Sequence, residues 1–241
     1  MKQLMYASLI MACSYSHAQA EIDPSSSSYQ FSMEPFHAVY DQMGSQIRVN
    51  THLSTDSTSY QIVMSMPTLA NQARITTDVI GLSASDGTFA YRDFHLSAPT
   101  WAYNRAVYKD GKVMVESYAE DGKTSKEALS PKPVFDGTFA YWQLAGVDNA
   151  VTSFVMNRWK YSPAGLVVGM STVPFERVGK EELTVGGTAY KCQIYEVAAG
   201  PEAKLICYVA DEAPYLIRQT YQQGDTEPMP IMTLQEVILS E

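Results

Sequence analysis

The sequence predicts a mainly β protein, an antiparallel sheet of consecutive hairpins with one or two short helices, following an N-terminal signal peptide. Three observations carry this. Apolar and polar residues alternate with period two along most of the chain, and turn residues recur about every 8–12 positions. Asp110-Gly111 and Gly186-Gly187 sit between alternating runs, as two-residue hairpin turns require. Helical spacing is confined to Asp136–Gly146, with Asp136 as cap, Phe139 and Trp142 on one face and Gly146 as stop.

In chain order, Lys2, the short apolar run Leu4–Cys13 and Ala18-Gln19-Ala20 have the form of an export signal cleaved after Ala20. Lipid attachment at Cys13 is the rival, opposed by bulky Met11 two positions before it. The apolar run is too short to span a bilayer, and no later stretch reaches the roughly 20 apolar residues that a transmembrane segment needs. The expected mature chain, 21–241, is a single β-rich periplasmic domain with a possible sub-boundary at Pro131-Lys132-Pro133.

The first hairpin, turning at Gly44-Ser45, is expected to set Tyr40 opposite Val49 and Asp41 opposite Arg48, with His37 facing His52. Asp56-Ser57 then turns the chain so that Tyr60, Ile62 and Met64 join the same apolar face. The Asp110-Gly111 turn places Arg105 across from Glu116, and Gly186-Gly187 places Glu182 across from Lys191. With Ala199-Gly200 as a further turn, Cys192 faces Cys207, which in an exported protein favours a disulfide. Such a bridge would add about 3 kcal/mol by chain entropy. The hexapeptide Asp-Gly-Thr-Phe-Ala-Tyr occurs at 86–91 and again at 136–141. A duplication would explain it, as would chance among common strand residues.

Charge limits the partners. The net charge of −9 becomes −10 without Lys2, and basic residues are scattered, so nucleic acids and anionic lipid headgroups are repelled at long range. The familiar serine-hydrolase, zinc-peptidase, dithiol and phosphate-loop motifs are absent, and no cofactor or metal is called for. His37 with His52, and Asp93 with His95, share faces but read as ordinary surface pairs. The aromatic residues say more. Trp101, Tyr103, Trp142, Trp159 and Tyr161 gather mid-chain, where they can line a pocket that grips an apolar body, or simply fill a β core. Met64, Met66, Met114, Met156 and Met170 suit either role.

One further pattern follows Pro133-Val134-Phe135-Asp136-Gly137. Val178-Gly179-Lys180-Glu181-Glu182-Leu183 precedes Gly186-Gly187 and Tyr190-Lys191-Cys192-Gln193-Ile194, and then come Tyr208-Val209-Ala210-Asp211 and Pro214-Tyr215-Leu216-Ile217-Arg218. This order resembles an uncharacterised bacterial periplasmic family similar in plan to the LolA-like lipoprotein-carrier half-barrel, over residues 35–238 and most closely over 130–223. The resemblance implies a strongly curved sheet, a half-barrel or open barrel, around an apolar cavity that a helix can plug and in which such carriers hold acyl chains. The carrier's N-terminal amphipathic helix is missing here, which speaks against lipoprotein transport itself.

The leading expectation is therefore a periplasmic binding or carrier protein for an apolar or amphiphilic ligand, with Trp101, Tyr103, Trp142, Trp159 and Tyr161 at the site. The alternatives are an envelope assembly protein that docks a protein partner through a sheet edge, and an enzyme with dispersed residues such as Arg105, Arg158 and Tyr161.

Overall fold

The computed structural model describes residues 20–22, 26–66, 76–97, 101–130, 134–137, 140–162 and 167–238; of Trp101 and Tyr161 it describes the backbone only. Leader residues 1–19, the Pro131–Pro133 boundary and Phe139 lie outside them.

Sixteen strands form one sheet among the described residues: β1 (Ala20–Ile22), β2 (His37–Gln42), β3 (Ser45–Leu53), β4 (Ser59–Met66), β5 (Thr76–Ser83), β6 (Phe89–Ser97), β7 (Trp101–Lys109), β8 (Lys112–Ala119), β9 (Gly122–Leu129), β10 (Phe135–Asp136), β11 (Ser153–Ser162), β12 (Val167–Val185), β13 (Thr188–Gly200), β14 (Ala203–Ala210), β15 (Leu216–Gln223) and β16 (Met229–Val237). The order is β1-β11-β12-β13-β14-β15-β16-β2-β3-β4-β5-β6-β7-β8-β9, with β10 beside β11. Neighbours along the chain pair as antiparallel hairpins. The exceptions are β16 with β2, which joins the two halves of the sequence, and the parallel pairs of β1 and β10 with β11.

Two apolar clusters show how the sheet rolls. The larger gathers Tyr40, Val49, Ile62, Ile80, Phe154, Met156, Phe175, Tyr195, Cys207 and Leu216 around Trp142 and Leu144. The smaller holds Phe89, Ala106, Val113, Val115, Val134 and Trp159, with Met170 packed against it. Phe154 pairs with Phe175 and Trp159 with Met170, so the odd step from Phe154 to Trp159 puts the two clusters on opposite faces of β11–β12. Strands β6–β8 therefore overlap the outer face of β11–β12, and β9 runs beside β12 without pairing to it. The seam closes at Val134, whose carbonyl accepts from the Phe89 N–H at 2.8 Å just before β10 pairs with β11. The result is a barrel whose last strands overhang its first.

Several expected pairings hold. Arg105 faces Glu116, Glu182 faces Lys191, and Tyr60, Ile62 and Met64 turn inward. The first hairpin differs, because its turn is Met43-Gly44, both in the left-handed region with φ of 51° and 86°. Tyr40 accordingly pairs with Ile47, His37 with Asn50 and His52 with Gln61, so the two histidines are not partners. A shift of two positions leaves every side chain on its expected face.

The cysteine hairpin differs with more consequence. Its turn is Pro201-Glu202, with an irregularity at Gly200, and the register slips by three. Cys192 pairs with Ala210 and Cys207 with Tyr195. Three residues along a strand are about 10 Å and reverse the face, beyond the reach of a disulfide. Both cysteines are free and buried, and burial pushes the Cys207 thiol up to about 12 and the Cys192 thiol up to about 11.

The helix is shorter than its spacing suggested: α1 (Ala140–Gln143), continued by a 3₁₀ turn Leu144–Gly146 that stops at the expected glycine. A side chain at Gly146 would lie 2.8 Å from the Gln30 carbonyl, which accounts for glycine there. The twin hexapeptides take different structures: Phe89-Ala90-Tyr91 begins β6, whereas Ala140-Tyr141 begins α1. Gln143, two residues beyond the second copy, donates from Nε2 to the Gly87 carbonyl of the first at 2.5 Å.

Candidate functional site

The concave side of the barrel is occupied by its own helix. Trp142 Nε1 approaches the Tyr40 hydroxyl at 3.4 Å, their rings meet edge to face at 6.0 Å, and Tyr40 donates to the Leu216 carbonyl at 2.9 Å. Burial drives the Tyr40 and Tyr29 hydroxyls far above their usual pKa, so both stay neutral donors. The far end of the plug is held from β12 and β13. Tyr195 donates to the Leu144 carbonyl at 3.3 Å, and the Arg177 guanidinium reaches the carbonyls of Val147, Asp148 and Asn149 and the Tyr195 hydroxyl at 2.5–3.2 Å. A cation there satisfies carbonyls left open where the 3₁₀ turn ends.

Two arginines flank β11 from opposite faces. Arg92, on β6, lies at the seam. Its Nε donates to Asp78 Oδ1 at 2.8 Å, its Nη2 meets Asp78 Oδ2 at 2.5 Å, and its Nη1 lies 3.7 Å from Asp136 Oδ2. The Asp78 and Asp136 side chains are 2% and 0% exposed, so one guanidinium serves two buried carboxylates. Burial works against the Arg92 charge, but Asp136 and Asp78 more than offset it and raise its pKa. Burial raises Asp78 above 3.8, against the opposing pull of Arg92. The group ties β5 and β6 to β10.

Arg158 points from β11 toward the plug. Its guanidinium lies 5.2 Å from the Tyr141 ring and 5.7 Å from the Phe175 ring, and Nη1 donates to the Gly137 carbonyl at 3.4 Å.

The five aromatic residues expected to form one pocket do not converge. Trp142 belongs to the plug and Trp159 to the seam cluster, its ring tilted 43° against Phe89 at 4.5 Å; the two stand on opposite sides of β11. Tyr103 is on the outer face of β7, where it donates to Asp93 at 2.8 Å and stacks between His95 and Tyr118. Trp101 and Tyr161 have their backbones near the ends of β7 and β11. Asp93 and His95 do share a face, as expected, and Asp93 also lies 3.9 Å from half-exposed Arg105. Met64 and Met156 are core residues, while Met114 is exposed. The sequence reading missed Asp78, Arg92 and Asp136. Their signal was present: Asp78 falls in phase with Ile80 and Leu82, a charge at a core position. Among the described residues no cluster of His, Cys, Asp or Glu could hold a metal ion.

No family model matches the chain, and no curated protein does. Among solved structures it is similar to the crystal structure of a β-barrel-like protein, domain of unknown function DUF1849, from Brucella abortus. The TM-score is 0.56 at 12% identity, covering 84% of this chain and 96% of that one. The likeness is one of fold. It supports a curved, barrel-like β architecture and carries no activity with it. No described helix is long and apolar enough to cross a membrane.

Proposed function

We propose that this protein is an exported binding or carrier module that holds an apolar or amphiphilic, lipid-like ligand on the concave side of its sheet. The observation that supports it most is the plug. The place an acyl chain would take is filled by four helical residues and one turn, whose Trp142 and Leu144 touch Tyr40 and the apolar lining. So short a helix has little stability of its own and is held by its surroundings. Replacing it by an acyl chain would keep the lining in apolar contact, so exchange need not uncover the core to water. The signal sequence supports an oxidising, extracytoplasmic setting, and the acidic surface favours a ligand recognised through its tail rather than through a broad anionic surface.

The test is extraction from the periplasm under native conditions, followed by mass spectrometry of bound lipid and of the chain. A co-purifying amphiphile and a mature chain starting at Glu21 are expected. A fluorescent acyl probe should bind saturably, and Trp142→Ala, which vacates part of the plug, should bind it more tightly. Absence of any co-purifying amphiphile together with no saturable probe binding by either protein would overturn the proposal.

A further inference from the structure

We infer that Arg158 is a receptor for the anionic head of the ligand, a carboxylate or phosphate oxyanion held beside the first turn of the plug. This rests on the carrier reading and narrows it from amphiphiles in general to acidic ones.

Four other arginines are tied to oxygens of the protein itself. Arg92 has two carboxylates, Arg105 has Asp93, Arg218 has Glu181 at 3.6 Å, and Arg177 donates to four oxygens. Arg158 is half-buried, yet it has no carboxylate within 4 Å among the described residues. Its one hydrogen bond among those residues is the 3.4 Å contact to Gly137; its buried Nε has no partner there, as is also true of Arg177 and Arg218, so the distinguishing feature of Arg158 is the missing carboxylate. Acidic groups are not scarce in a chain with 26 of them against 17 basic ones.

A half-buried guanidinium without a counter-ion loses part of its hydration, and the two rings beside it recover some of that cost. Tyr141 and Phe175 flank the group while Nη2 has no partner among the described residues, so Nη2 is the N–H group left to donate a charge-assisted hydrogen bond to a carboxylate or phosphate oxygen. Placement agrees. Tyr141 belongs to α1 and Phe175 to the core that contains Trp142, so a head bound at Arg158 would direct its tail into the space the plug now fills. The ordinary alternative is an arginine pinned by cation–π contacts and hydrated at its open edge, which predicts no head-group preference.

Calorimetric titration of the full mature chain with dodecanoate, dodecyl phosphate, dodecanol and inorganic phosphate decides between them. At least one acidic amphiphile should bind about tenfold or more tightly than dodecanol, the scale of one charge-assisted hydrogen bond. The comparison of dodecanoate with dodecyl phosphate identifies the head, and the inorganic-phosphate arm shows whether the head binds without a tail. In Arg158→Gln the preference should vanish with dodecanol affinity unchanged, and Arg158→Lys should keep part of it. Equal affinities for acid and alcohol in the wild type, or a preference that survives Arg158→Gln, would overturn the inference while leaving the carrier reading standing. Binding of no amphiphile at all would overturn both. The wild-type comparison needs no variant, so a misfolded Arg158→Gln protein leaves the test intact.

Discussion

The two faces of β11 surround a guanidinium in opposite ways. At the seam, Arg92 is neutralised twice over, by Asp78 and Asp136, and is further covered by Phe94 and Trp159 at 5.8 and 6.0 Å. On the plug side, Arg158 has rings and one carbonyl but no acid among the described residues. The first arrangement is closed: every strong partner is internal, and it fastens β5 and β6 to β10. The second is open, with a charge held still and left without its complement. Internal partners supply the counter-charge of Arg92, and among the described residues none supplies that of Arg158.

Removal of the large side chains on each face should break this contrast most severely. Trp142→Ala and Trp159→Ala each delete a buried indole, so each should lower stability by about 3–5 kcal/mol. Their consequences should differ in kind. Denaturant unfolding of Trp142→Ala should be rescued in part by an acyl ligand that fills the vacancy, whereas Trp159→Ala, in the seam, should gain nothing. Equal rescue of both would end the distinction between a ligand-exchangeable plug and a structural seam.

Next comes the seam cation. Arg92→Leu leaves two carboxylates buried without their partner and should cost about 3 kcal/mol at pH 7, near the lower end for breaking a buried pair. The sign with pH follows from Asp78. Its folded pKa lies above 3.8, so the folded state holds the proton more tightly than the unfolded chain, and stability from this group falls as pH rises past 3.8. Losing Arg92 removes a pull that lowers that pKa, so the Arg92→Leu deficit should shrink from pH 7 toward about pH 5. A deficit independent of pH would show that lost packing, not uncompensated charge, is the cause.

The smallest effect belongs to the outer face. Lys123 pairs with Glu116 at 2.6 Å and lies over Tyr118, but the pair is solvated, and its attraction is offset by side-chain entropy and screening. Lys123→Ala should leave the melting temperature within experimental error. A clear loss would mean that the β6–β9 overhang is held from outside as well as through its buried face.

Much of the fold was legible in the residues because strand alternation is a local property. Tyr60, Ile62 and Met64 fall at every second position, and they line the core as that spacing requires. Hairpins with two left-handed turn residues were placed in register at Asp110-Gly111 and Gly186-Gly187. Registers failed where the turn residues were placed one or two positions off: at Met43-Gly44 the slip was even and harmless, and at Pro201-Glu202 it was odd and separated Cys192 from Cys207. Candidate-site residues were less legible. The tryptophans were identified as large apolar groups, but whether they faced one another depended on how far the sheet rolled.

The chain alone determined the identity of most strands, the stop of the short helix at Gly146 though not its start, and the polar or apolar face of most strands, since each depends on residues within a few positions of one another. Closure of the barrel, the overlap of β6–β8 on β11–β12, the pairing of Asp78, Arg92 and Asp136, and the isolation of Arg158 belong to the tertiary structure. Each joins segments tens of residues apart, and a period-two pattern tells which way a side chain points but not what will be waiting there.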